Sequence, residues 1–138
     1  MTSPAASAVP RAPLARFREL CIDAQDPAPA ASFWGAVLGR TVQTDEDGDV
    51  FLPPGPDGGP GIYVNTVPEP KVGKARLHID VTLEPGQELT DLLALGATVV
   101  TEPGDVSWWV LADPAGNEFC AFLPVADASN DADAEVVA

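Results

Sequence analysis

Three short matches at one fixed offset constrain this chain more than any other feature. Leu20-Cys21-Ile22-Asp23 returns as Leu77-His78-Ile79-Asp80, Leu38-Gly39 as Leu95-Gly96, and Thr41-Val42 as Thr98-Val99. Each copy lies 57 residues after its original (20 to 77, 38 to 95, 41 to 98). A unit repeated in register is a supersecondary block that buries its apolar face against its neighbour. A chain of 138 residues has room for two such blocks and one shared core.

Each block reads as a strand, a helix and three short strands. Residues 17–23 alternate apolar and polar, as a half-buried strand does. Asp26 is a good N-cap and Pro27 suits the first helical position. Phe33, Trp34, Val37 and Leu38 make one apolar stripe, and Gly39 supplies the left-handed stop. Strands follow near 41–44, 50–52 and 61–66, separated by Asp, Gly and Pro turns. After a linker over 67–74, the second block repeats the pattern. A strand spans 76–83, and a helix near 87–95 carries Leu89, Leu92 and Leu93 before Gly96. Strands near 98–101, 107–112 and 118–123 complete it. Asp113-Pro114-Ala115-Gly116-Asn117 is a strong turn between the last two. The expected fold class is α+β: two βαβββ repeats, 15–66 and 75–124, forming a curved mixed eight-stranded sheet with a concave cleft and helices outside. Residues 1–14 read as a disordered Ala/Pro-rich leader and 125–138 as an acidic disordered tail.

Composition excludes several functions. The net charge of −14 argues against nucleic-acid binding, which needs clustered Lys and Arg to displace phosphate counterions, and against docking on anionic membrane. The acidity serves solubility or steers a cationic ligand. No apolar run is long enough to span a bilayer, and no basic-then-apolar leader opens the chain. A cytoplasmic location is expected, with Cys21 and Cys120 as free thiols. There is no phosphate-binding glycine loop, no nucleophile-elbow serine and no paired-cysteine zinc motif.

Phe33-Trp34 with Leu38-Gly39, the His78-Ile79-Asp80-Val81 strand, Leu95-Gly96-Ala97 and Asp113-Pro114-Ala115-Gly116-Asn117-Glu118-Phe119 stand here in an order that resembles the glyoxalase/bleomycin resistance/dioxygenase (vicinal oxygen chelate) superfamily, in its glyoxalase-like subgroup. The resemblance spans about residues 16–124. It implies a small-molecule cleft between the repeats and a homodimer. In metal-dependent members it implies one divalent ion (zinc, nickel, manganese or iron) held by two ligands from each half. Carried over by position, those ligands are Glu19, Asn65, His78 and Cys120, with Tyr63 on the same face as Asn65. Only Glu19 and His78 are conventional there; Cys120 is a soft donor that prefers zinc or a similar metal.

Each candidate keeps an alternative. His78, the single histidine, is a ligand, a base near neutral pH, or a hydrogen-bonded core residue. Glu19 shares strand parity with Cys21 and Asp23, so that face lines a polar cleft or borders solvent. Cys120 and Cys21 are site thiols or small buried hydrophobes. Trp108 and Trp109 are adjacent on a strand, so one faces the cleft and the other faces away. No residue is singled out as catalytic. Two functions follow from the resemblance. One is a metal-assisted lyase, isomerase or dioxygenase. The other is a metal-free protein that sequesters a small molecule, for which an acidic, aromatic cleft suits a flat cation. An interaction module with no chemistry is the third reading.

Overall fold

The computed structural model describes residues 11–105 and 107–124. Of the expected leader only 11–14 is described, and the expected tail lies outside the described residues.

The first repeat opens with β1 (Glu19–Ala24), followed by α1 (Pro27–Leu38). Asp26 is the N-cap, its carboxylate accepting the Ala28 N–H at 3.3 Å, and Gly39 ends the helix at φ 66°. Small residues on the buried side of α1 (Ala30, Ala31 and Gly35) let it lie close on the sheet, while Phe33 and Trp34 fill the core. Three strands complete the repeat: β2 (Gln43–Thr44), β3 (Val50–Leu52) and β4 (Gly61–Thr66). The second repeat has β5 (Ile79–Thr82), α2 (Leu89–Ala94), β6 (Thr98–Thr101), β7 (Trp108–Ala112) and β8 (Glu118–Phe122). The Glu88 N–H donates to the Asp91 carboxylate at 2.7 Å, closing the first turn of α2.

The α+β architecture of two βαβββ repeats is the one expected. Its eight strands divide between two four-stranded mixed sheets, β1-β4-β3-β2 and β5-β8-β7-β6. In each, the first strand pairs parallel with the last and the remaining pairs are antiparallel. The 113–117 turn forms as expected: Asp113 and Asn117 are bridged by backbone, and Gly116 donates to the Asp113 carbonyl at 2.9 Å.

One core serves both repeats. Phe33, Trp34, Leu52 and Ile62 from the first pack with Leu83, Leu92, Leu111 and Phe119 from the second. The Trp34 ring meets Phe119 edge-on at 5.0 Å. This burial drives folding and couples the halves, since neither repeat can cover its apolar face alone. Period-two alternation then leaves one face of each sheet open. Among the described residues, no helix is long and apolar enough to cross a membrane.

Candidate functional site

The open face of the first sheet carries Glu19, Cys21 and Asp23 on β1, Tyr63 and Asn65 on β4, and Phe51 on β3. Leu20, Ile22 and Ala24 point to the core side. Phe51 and Tyr63 stack at 4.9 Å with 13° between their planes. Burial, then the Asp45 and Glu19 carboxylates, push the Tyr63 hydroxyl above its ordinary range, so it stays a neutral donor.

The open face of the second sheet carries Asp80 and Thr82 on β5, with His78 just before them, Glu118, Cys120 and Phe122 on β8, and Trp108 and Val110 on β7. A cavity of about 270 Å³ sits here, walled by His78, Asp80, Cys120, Trp108, Glu118 and Lys74 among others. His78 Nδ1 lies 2.9 Å from Asp80 Oδ1. Asp80 and Cys120 are register partners on neighbouring strands. One donor atom from each of His78, Asp80 and Cys120 lies within 4.8 Å of the others. His78 and Asp80 are exposed, whereas Cys120 is buried among the cavity walls. Burial, then the Asp80 carboxylate, push the Cys120 thiol up, against a smaller downward pull from the Lys74 charge.

Glu118 anchors the linker beneath this cavity. Lys71 Nζ lies 2.9 Å from its Oε1, and the Ala75 N–H donates to the same oxygen at 3.0 Å. Burial works to raise the Glu118 pKa, but the hydrogen bonds from Lys71 and Ala75 outweigh it and hold the carboxyl below its ordinary range. Glu118 is therefore a tethered carboxylate at neutral pH.

The structure sorts the expected residues into two groups. Trp108 lines the cavity on the second sheet, 5.5 Å from Phe122, whereas Trp109 packs against the core. His78 and Cys120 come together. Glu19, Cys21, Tyr63 and Asn65 stand on the other sheet. Both thiols are free, Cys21 exposed and Cys120 buried. Two larger hollows, of about 660 and 670 Å³, lie between the repeats. Asp26, Val67, Lys71 and Asn117 border one, and Val37, Asp57, Val81 and Leu92 border the other. Neither is lined by any of the expected site residues.

The two-from-each-half metal set does not fit one ion. Glu19 pairs with Gly61 and Asn65 pairs with Asp23, four positions along the same ladder. At ~3.3 Å per strand residue that separation is about 13 Å, far beyond two donors on one metal. Asp80 is the residue the sequence reading left out of the site. Its signal was present, since it lies two positions after His78 and so shares its strand face. Asp45, Asp47 and Asp49 also cluster, but Asp45 Oδ1 accepts the N–H groups of Asp47 and Asp49 at 2.9 Å each, as a turn requires.

A model of the glyoxalase-like domain matches residues 19–122, from the first residue of β1 to the last of β8. The chain belongs to the glyoxalase-like domain family, within the vicinal oxygen chelate superfamily. Solved structures agree on the fold of this glyoxalase-like chain. A glyoxalase/bleomycin resistance protein from Albidiferax ferrireducens superposes with TM-score 0.57 at 19% identity, covering 79% of this chain and 98% of that one. A possible glyoxalase from Bacillus cereus gives 0.58 at 16% identity, covering 78% and 97%. The fosfomycin resistance protein FosX from Mesorhizobium loti gives 0.57 at 10% identity, covering 80% and 93%. No curated protein matches the chain.

Proposed function

We propose that this glyoxalase-like chain binds a small, flat, cationic molecule on the open face of its second sheet. The observation that carries the reading is the cavity of about 270 Å³ where an indole wall, Trp108, stands beside the His78–Asp80 pair. A concave apolar wall with a few convergent polar groups is what a small-ligand site requires. The face of Trp108 attracts a cation through its ring quadrupole, and Phe122 extends that wall. Asp80 supplies the counter-charge, since Glu118 is occupied by Lys71 and the Ala75 N–H. The net charge of −14 draws such a ligand toward the protein. Sequestration of this kind breaks no bond and needs no nucleophile. A homodimer belongs to the same proposal: one half walls the cavity, and a second copy supplies further cover.

Tryptophan fluorescence tests the proposal directly. Trp34 and Trp109 pack in or against the core, so Trp108 is the indole a cavity ligand meets. A panel of cationic aromatic compounds should include members that quench wild-type emission saturably, with the change absent in Trp108→Phe. Saturable quenching that survives in Trp108→Phe places the ligand elsewhere. A panel with no binder removes the cationic ligand class.

A second reading, metal-assisted chemistry on the same molecule, is favoured by one observation: the nitrogen, oxygen and sulfur donors gathered at His78, Asp80 and Cys120.

A further inference from the structure

We propose that His78, Asp80 and Cys120 form a three-donor, zinc-preferring metal site contained wholly within the second repeat, in place of a site shared between the two halves. The proposal rests on the second reading of this cavity, metal-assisted chemistry, and it is tested without reference to any organic ligand.

The backbone places the three side chains before any ion arrives. Asp80 and Cys120 face each other across the β5–β8 ladder, and His78, just before β5, turns its ring nitrogen to the Asp80 carboxylate. Their donor atoms lie within 4.8 Å of one another, and the His78 nitrogen is already 2.9 Å from an Asp80 oxygen. Tetrahedral zinc, with bonds of about 2.0 to 2.3 Å, sets its ligand atoms roughly 3.4 Å apart. Only small movements close the trio to that spacing. They fall to the two exposed side chains, while Cys120 is held on β8 among its neighbours.

The donor chemistry selects the metal. One imidazole, one carboxylate and one thiolate suit a borderline-soft ion; a thiolate disfavours magnesium, calcium and manganese. Three protein donors leave one tetrahedral position for water or a ligand atom, the arrangement of zinc sites that act on ligands rather than hold a fold together. That position belongs to the cavity walled by Trp108 and Val110. Bound there, zinc would supply a Lewis acid and an anchor for a ligand oxygen. Glu19 and Asn65 cannot serve one ion together, because the β1–β4 register sets their backbones about 13 Å apart.

The test is metal binding by the full chain, stripped with chelator and titrated with cobalt(II) and zinc(II) alone. The expected result is one cobalt per chain with a thiolate-to-cobalt charge-transfer band, displaced by zinc. Cys120→Ala should abolish the band. His78→Ala and Asp80→Asn should each weaken zinc binding about 100-fold, at or beyond the loss seen when a supporting group is removed. Asp80 is exposed, so Asp80→Asn reads the site even where Cys120→Ala folds poorly. The double variant Glu19→Gln/Asn65→Ala should bind zinc within about two-fold of wild type, far inside that loss. A wild-type chain with no charge-transfer band overturns the proposal. So does a band that survives Cys120→Ala, or a Glu19→Gln/Asn65→Ala variant that loses zinc as His78→Ala does. If zinc fails to bind while cationic aromatics still quench Trp108, the metal site falls and the binding reading stands. If zinc binds and no aromatic does, the reverse holds.

Discussion

The indole N–H of Trp34 donates to a carboxylate oxygen of Asp113 at 2.8 Å, a buried hydrogen bond between residues 79 positions apart. It joins α1 of the first repeat to the turn that opens β8 of the second. The other Asp113 oxygen accepts the N–H groups of Ala115 and Asn117 at 2.8 and 2.9 Å, so one buried carboxylate both shapes its own turn and ties the halves. The Asn117 amide adds a second tie, donating to the Asp23 carbonyl at 3.0 Å.

Breaking this tie should therefore weaken the whole chain rather than one half. Trp34→Phe leaves a buried carboxylate oxygen unpaired and should lower stability by about 2 kcal/mol; Asp113→Ala strips three donors of their partner and should lower it by about 3 kcal/mol or more. Urea denaturation of the two single variants and the double variant checks this. The double variant should lose clearly less than the sum, because the residues are in contact.

The adjacent tryptophans should part company on substitution. Trp109 packs against the core, so Trp109→Ala should cost about 3 kcal/mol of stability. Trp108 faces the cavity, so Trp108→Ala should leave the melting temperature closer to wild type while weakening a cationic aromatic ligand about 5- to 30-fold. Thermal melts and binding titrations on the same preparations separate the two effects.

Gly35 reverses a general rule. Alanine in place of a helical glycine usually stabilises by about 1 kcal/mol. Here a Cβ at position 35 would stand 2.8 Å from the Arg40 carbonyl oxygen and 3.1 Å from Val42, and the first of these is backbone that cannot swing away. Gly35→Ala should therefore destabilise, by about 1 to 3 kcal/mol as overpacking does, measured as a shift in urea midpoint at unchanged m-value.

Arg40 sets an acid sensitivity. Its side chain is buried, with Nη1 donating to the Pro60 carbonyl at 2.6 Å and Nη2 sitting 3.0 Å from Asp57 Oδ1. The Gly59 N–H, then the Arg40 charge acting against partial burial, hold the Asp57 carboxyl below its ordinary range. A depressed folded pKa means its stabilisation is complete above the ordinary value near 3.8 and fades as pH falls through the lower folded one. Asp57→Asn should melt below wild type at neutral pH, and the two curves should converge in strong acid. A constant gap across that range would show that the charge is not responsible.

Much of the fold was legible because it rests on local chemistry. Asp26, Pro27 and Gly39 bound α1 where caps and stops must fall, and strands 50–52, 61–66 and 98–101 coincide with their alternating runs. The candidate site was legible only in part. The family resemblance pointed to His78 and Cys120, but register between strands is set by packing across the sheet, not by either strand's own sequence. Hence the β1–β4 pairing that parts Glu19 from Asn65, and the β5–β8 pairing that joins Asp80 to Cys120, emerged only in three dimensions. The Trp34–Asp113 bond was hidden for the same reason.

The paired registers also expose how little separates the two repeats. Asp23 faces Asn65 on the first sheet as Asp80 faces Cys120 on the second, and Cys21 occupies the place of His78. The trio of the second half thus has counterparts in the first, Cys21, Asp23 and Asn65, at the repeat-related positions. Two exchanges, Cys21→His and Asn65→Cys, would write the second half's donor set into the first. The two halves share these ladder positions, although α1 is twice the length of α2 and Cys21 lies within β1 while His78 stands just before β5.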